Sequence, residues 1–225
     1  MYDDDGNLTT RTDATGVQTY RFDALSRETI RILQDGSQTV LAYTADGNVD
    51  TYTDPGGVTD YEWDAANRLA SLTGPANKKT TYEYDSNDVR TKTTYPGNTV
   101  QSVTLDNSGR PTGIRNIGPS GRVASDLSYT YAYTAGIESL DGIKIRSLTD
   151  NLSRTRTTYQ YDSAGRASLA EEVDQSGRKT SLQYCHDPAG NLLSQGSIPG
   201  CPGSTVYTYN DTSELIARNG ITTNW

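Results

Sequence analysis

The chain has 225 residues, a net charge of −8, and 16 tyrosines against a single phenylalanine. An acidic balance with no basic run longer than Lys78-Lys79 excludes a nucleic-acid binder, which needs clustered Lys and Arg against phosphates. No apolar stretch approaches the roughly 20 residues of a membrane-spanning helix.

Leu, Ile, Val and Phe together make up about a sixth of the chain. Tyrosine must therefore supply the buried area, and its hydroxyl needs a polar partner or water. That composition predicts a thin sheet with at least one wet face.

In chain order the same phrase returns: "YDDDGNL" from residue 2, "YRFDALSRE" from 20, "LAYTADGNV" from 41, "YEWDAANRL" from 61, "YEYDSNDVR" from 82. Then follow "VTLDNSGRP" from 103, "YTYAYTAG" from 129, "YQYDSAGRA" from 159, "YCHDPAGNL" from 184 and "YTYNDTSEL" from 207. Aligned on residues 2, 22, 43, 63, 84 and 105, the step is 20 or 21; beyond 105 it lengthens as insertions enter. A fixed period of this kind marks a repeat architecture.

Each phrase has a physical grammar. Residues i and i+2 of a strand point to one face. Tyr20/Phe22, Tyr61/Trp63, Tyr82/Tyr84, Tyr159/Tyr161 and Tyr207/Tyr209 are therefore same-face pairs, each around a polar residue. Asp-x-x-Gly follows, as at Asp162 to Gly165. Asp suits the first position of a type I turn, and a left-handed Gly after it closes a three-residue hairpin loop with a bulge. Ser26, Asn67 and Asp88 stand in the Gly place, and Asn and Asp tolerate that backbone region best. A second arm runs back, and a second Gly- or Pro-rich turn ends the unit: "DATG", "DPGG", "YPGN", "DQSG", "PGCPG".

One repeat is thus one β-hairpin. The expected fold is all-β, an antiparallel hairpin meander of about 20 strands, with no helix. At about 4.8 Å per strand such a sheet would be on the order of 95 Å wide. Open twisted sheets of that size curl or split, so a curved or spiralling sheet is expected. The expected organisation is a single array over 1–225, with an insertion over 112–158 that adds strand and turn. Asp141-Gly142 is a two-residue hairpin signal within it.

These phrases resemble the YD repeat, also called the Rhs repeat. "GVTDYEWDAANRL", Gly57 to Leu69, and "TTYQYDSAGRA" carry the likeness, and about ten copies cover nearly the whole chain. The resemblance implies a long β-sheet spiralling into a hollow shell. Shells of this kind occur in bacterial Rhs proteins, toxin-complex C components and, more distantly, teneurins. In the bacterial toxins the shell encloses a C-terminal polymorphic toxin. The partners implied are the rest of a parent shell and that toxin, and the location implied is secreted or cell-surface. The family's self-cleaving Asp-Pro motif is not carried over to "DPGG" or "DPAG", which read as turns in mid-repeat.

Both ends read as falling inside a repeat, "MYDDDGN" lacking most of a first arm and "NGITTNW" supplying one. The expectation is a segment of a larger shell whose terminal strands are edges open to self-association.

No catalytic residue, cofactor or metal site is expected. A series of near-identical aspartates at hairpin turns is turn chemistry, since a general acid or base needs a shifted pKa and a partner in reach. Arg27, Arg68, Arg110 and Arg166 follow the turn at one place and read as rim ion pairs or cation–π partners of a neighbouring Tyr. "DDDGN" lacks the Glu of a calcium loop. His186, the one histidine, stands in a Tyr-equivalent place beside Cys185, too few ligands for zinc. No GxSxG elbow supports a triad through His186. Cys185 and Cys201 suggest a disulfide: with the intervening arm fully extended they would lie roughly 20 Å apart, too far to bridge, so the pairing requires the Gly- and Pro-rich loop 194–203 to fold back. The competing function is an extracellular module binding a glycan or a cell-surface protein through exposed tyrosines.

Overall fold

The structure is a computed structural model that describes residues 1–131, 142, 144–197 and 205–222. It is all-β. The strands are β1 (Thr10–Asp13), β2 (Gly16–Phe22), β3 (Glu28–Ile32), β4 (Gln38–Tyr43), β5 (Val49–Asp54), β6 (Gly57–Trp63), β7 (Leu69–Gly74), β8 (Lys78–Tyr84), β9 (Arg90–Thr94) and β10 (Val100–Leu105). They continue as β11 (Pro111–Ile117), β12 (Val123–Thr130), β13 (Ser147–Asp150), β14 (Thr155–Tyr161), β15 (Ala167–Val173), β16 (Lys179–His186), β17 (Leu192–Gly196), β18 (Thr205–Tyr209), β19 (Leu215–Arg218) and β20 (Ile221–Thr222). A single helical turn, Pro75–Asn77, interrupts the series inside a connection.

By packing, the chain divides into two compact units, Met1–Gln101 with Gly118–Ser120, and Ser102–Ile117 with Gly121–Trp225. In the first, β1 to β9 pair each with the next, antiparallel throughout. In the second, β11 to β20 do the same. Such pairing is what short turns impose, since a two- to five-residue loop joins only antiparallel neighbours.

The register slips by one residue before the Asp-type turn in seven repeats: at Arg21/Phe22, Ala42/Tyr43, Glu62/Trp63, Glu83/Tyr84, Gln160/Tyr161, Cys185/His186 and Thr208/Tyr209; a further slip, at Asn116/Ile117, lies beside the far turn between β11 and β12. Each of the seven is the bulge that a type I turn plus a left-handed residue leaves behind. That left-handed residue is, in turn, Ser26 (φ 59°), Gly47 (88°), Asn67 (60°), Asp88 (63°), Gly165 (78°), Gly190 (95°) and Ser213 (63°).

Alternation is strict around the aromatic pairs. Tyr61, Trp63, Tyr82, Tyr84, Tyr159 and Tyr161 are half-buried, and Glu62, Glu83 and Gln160 between them are exposed. Among the described residues there is no thick apolar centre. Among the described residues the buried side chains are mostly small hydroxyls, Ser71, Thr80, Thr93, Ser147 and Ser194, joined by Tyr131 and Cys185. Close strand spacing shields these short groups and leaves the long rings half covered.

The far turns are equally particular. At the β5–β6 turn, Gly57 sits at φ 130°, and a Cβ there would come within 2.9 Å of Pro75 Cγ. Only glycine lets the Pro75–Asn77 connection lie against that turn.

Of the insertion expected over 112–158, the described part holds β12, β13 and the turn from Asp150 to Thr155. Asp141 and Tyr133 lie outside the described residues.

Candidate functional site

The repeated turn is the most elaborate local structure in the chain. At Asp162, Oδ1 accepts from the backbone N–H of Ala164 (3.0 Å) and Arg166 (2.8 Å), and Oδ2 accepts from Arg166 Nε (2.7 Å). The backbone closes the same loop: Gly165 N donates to Asp162 O (2.9 Å) and Asp162 N to Arg166 O (2.8 Å). The pattern recurs at Asp23–Arg27, Asp64–Arg68 and Asp106–Arg110. At Asp187 the closing residue is Asn191, whose amide reaches Asp187 Oδ2 at 2.9 Å.

These bonds set the electrostatics. The Arg side chain beside each carboxylate, and then the Arg backbone N–H, hold Asp23, Asp64 and Asp106 below the ordinary carboxylate range. At Asp162 the backbone bond from Arg166 leads. A carboxylate held ionised in this way is poorly suited to proton transfer near neutral pH, for which a pKa near the working pH is needed. It is well suited to fixing a turn.

The closing residue also leaves its own repeat. Arg27 stacks on the Tyr43 ring at 4.3 Å, Arg68 on Tyr84 at 4.7 Å and Arg110 on Tyr131 at 4.7 Å. Arg68 donates to Asp88 Oδ1 (2.6 Å) and Arg166 to the Asp187 carbonyl (2.6 Å), each in the following turn. Where Asn closes the turn, its amide does likewise: Asn7 to Ser26 (3.2 Å), Asn48 to Asn67 (3.0 Å), Asn191 to Ser213 (3.1 Å). A line of turn-to-turn bonds therefore runs along this rim within each unit.

The second aromatic of each pair works in the other direction. Tyr43, Trp63, Tyr84 and Tyr161 donate to the carbonyls of Glu28 (2.7 Å), Val49 (2.8 Å), Leu69 (2.8 Å) and Ile145 (2.7 Å). Each acceptor is the residue after the closing Arg, Asn or Lys of the repeat before. Phe22 has no donor to use in this way. The first aromatics are placed differently. Tyr20 donates to Gln18 (2.7 Å) beneath Arg31, Tyr61 lies opposite Leu72, and Arg90 lies 5.2 Å over Tyr82. Tyr207 accepts from Gln195 at 3.0 Å, and Tyr209 pairs with Leu215. Burial, then the neighbouring Tyr184 and Tyr129, push the Tyr159 hydroxyl up.

Two members of the system escape sequence reading. Tyr131 receives Arg110. Lys144 closes a divergent repeat: its ammonium stands over Tyr161 at 5.2 Å and donates to the Gly165 carbonyl. The available signal was the Lys144-Ile145 pair, a cation before an apolar residue, as in Arg68-Leu69.

His186 lies at the end of β16, opposite Leu192. Cys185 is buried opposite Ser194 and is not a free thiol; Cys201 lies outside the described residues. In "DDDGN", the Asp3 carboxylate is occupied by the Asn7 backbone (2.7 Å) and amide (3.1 Å). Among the described residues no cluster of three or more His, Cys, Asp or Glu is placed to hold a metal ion. Among the described residues no helix is long and apolar enough to cross a membrane.

Comparison with known proteins gives a consistent picture. The RHS Repeat family matches residues 2–38, 43–79 and 63–100. No curated protein sequence matches the chain. The crystal structure of TcdB2-TccC3-TEV is similar with a TM-score of 0.73 and 17% identity, over 97% of this chain and 12% of that one. TcdB2-TccC3 without its hypervariable C-terminal region gives 0.68 and 17%, over 93% and 13%. A mutant Tc holotoxin pore of Photorhabdus luminescens gives 0.64 and 15%, over 97% and 15%. The chain thus spans roughly an eighth of the length of these similar chains, and at such identities the likeness is one of fold.

Proposed function

From the match of residues 2–38, 43–79 and 63–100 to the RHS Repeat, we propose that this chain is a non-enzymatic segment of a shell wall, part of a secreted or surface protein that encloses a C-terminal toxin or other cargo. The observation that carries this reading is the direction of the side-chain bonds. The groups that would have to do chemistry are spent on building the sheet: the Asp carboxylates on their own turns, the Arg guanidinia on the next repeat's ring, the Tyr hydroxyls on the previous repeat's carbonyl. Such bonding makes each hairpin a course in a wall and leaves the series extensible at both ends.

The similar TcdB2-TccC3 and Tc holotoxin chains support the same reading. The partners it implies are further repeats of the parent shell and the cargo behind the wall. The test is limited proteolysis of the full-length gene product. The segment that follows the repeats should resist protease in the intact protein and be digested when expressed alone. Equal digestion in both states would overturn enclosure.

A further inference from the structure

A groove opens between two neighbouring far turns of the first unit, away from the aromatic pairs. Its floor is Thr81 and Thr94, paired across β8 and β9. One wall is Asn77, Lys78 and Lys79, at the turn that enters β8; the other is Tyr95 to Asn98, after β9. The cavity is about 390 Å³, toward the small end of ligand pockets, which run from about 300 to 1,000 Å³.

The walls carry two lysines and no acid. The chain carries 28 acids against 20 bases, yet no carboxylate lines this groove. Lys79 pairs with Glu62 at 2.9 Å, whereas the exposed Lys78 has no ion-pair partner among the described residues. Tyr95 is 42% exposed. Its backbone is fixed by the turn, Tyr95 N donating to Thr99 O at 2.8 Å and Asn98 N to Tyr95 O at 3.1 Å. Tyr43, Tyr82, Tyr84 and Tyr161 lie under a cation, and the Tyr20 and Tyr207 hydroxyls bond a neighbouring side chain. This ring lies at the mouth of a polar groove.

We propose that the groove binds an acidic saccharide, a pyranose carrying a carboxylate. An open aromatic face accepts the C–H face of a sugar ring, and its hydroxyl stays in the polar layer. The Asn77 and Asn98 amides and the Thr81 and Thr94 hydroxyls donate to and accept from ring hydroxyls. Lys78 meets the carboxylate as a compact charge with three donors. Charge selects the acidic sugar over a neutral one, and the ring selects a sugar over an acidic peptide.

The test uses the whole chain, titrated with an oligogalacturonide, with a neutral maltooligosaccharide of equal length and with an oligoglutamate peptide. Binding is read by calorimetry and by amide and ring NMR shifts. The expected result is saturable binding of the oligogalacturonide alone, with shifts at residues 77–81 and 94–98. Lys78→Gln and Tyr95→Ala should each weaken it by about tenfold or more, and Tyr95→Phe should retain it. Both positions are exposed, and circular dichroism verifies the fold. No binding, equal binding of the neutral sugar or the peptide, or affinity that survives both substitutions would overturn the proposal.

Discussion

The Tyr84 hydroxyl donates to the Leu69 carbonyl at 2.8 Å, while Arg68, the residue before Leu69, lies over the Tyr84 ring at 4.7 Å. One side chain thus meets two consecutive residues of the preceding repeat, through its edge and through its face. Removing only the hydroxyl separates these contributions. Tyr84→Phe should cost about 1 kcal/mol, the usual net worth of such a bond. In calorimetry that is a fall in Tm of roughly 2–4 °C for a chain of this size. Tyr84→Ala should cost distinctly more, because the ring and its cation are lost together. An unchanged Tm in Tyr84→Phe would mean the hydroxyl is as well served by water.

Gly109 offers a clean measure of the turn. It sits at φ 76°, and a Cβ there would meet nothing within 4 Å. Gly109→Ala therefore changes backbone preference alone and should destabilise by about 1–2 kcal/mol, the left-handed penalty. The converse substitution at Asn67, φ 60°, is Asn67→Gly. It should be neutral or stabilising, and a marked loss there would show that the bond from Asn48 matters more than the dihedral.

The turn aspartates predict the acid limb of stability. Asp23, Asp64, Asp106, Asp162, Asp174 and Asp187 are all held below the ordinary value of 3.8 in the fold. A group depressed by folding contributes stability above its unfolded pKa and loses it as pH falls through the folded one. Tm should be level from neutral pH to the ordinary carboxylate range, then drop steeply below it. Asp106→Asn should lower Tm at neutral pH by a few degrees and make the acid drop shallower. A Tm that falls mainly between neutrality and the carboxylate range would contradict this assignment.

Val89 stands where other repeats place Arg or Asn. Its backbone N–H reaches Asp85 Oδ1 at 3.0 Å, and its side chain is 39% exposed. Val89→Arg should supply the missing ion pair with Asp85 and raise Tm by about one or two degrees, in keeping with an exposed i,i+4 pair. The gain should shrink in high salt. A salt-independent gain would point to packing instead.

The pairing proposed for Cys185 and Cys201 is tested by mass. The chain should be about 2 Da lighter without reductant than with it, by the two hydrogens lost when the bond forms. Thiol alkylation without reductant should label neither residue. Labelling of both would remove the disulfide, and with it one support for an oxidising compartment.

Much of this molecule is legible in one dimension because its contacts are local and repeated. The period of 20 or 21, the i, i+2 aromatic pairs and Asp-x-x-Gly determine strand, face, turn and bulge, since each rests on backbone geometry within a few residues. Even the left-handed places of Asn67 and Asp88 follow from their position in the phrase. Bonds between repeats were legible only as types: an Arg after the turn needs a partner, but its neighbour is set by how adjacent hairpins align. Only the tertiary structure joined Tyr84 to Leu69, placed Tyr131 beneath Arg110, and set Lys144 over Tyr161 in the place that Arg68 takes over Tyr84. It also set Tyr95 and Lys78 across one groove. They lie at the open end of one hairpin, and it is the pairing of β8 with β9 that brings the two flanking turns side by side.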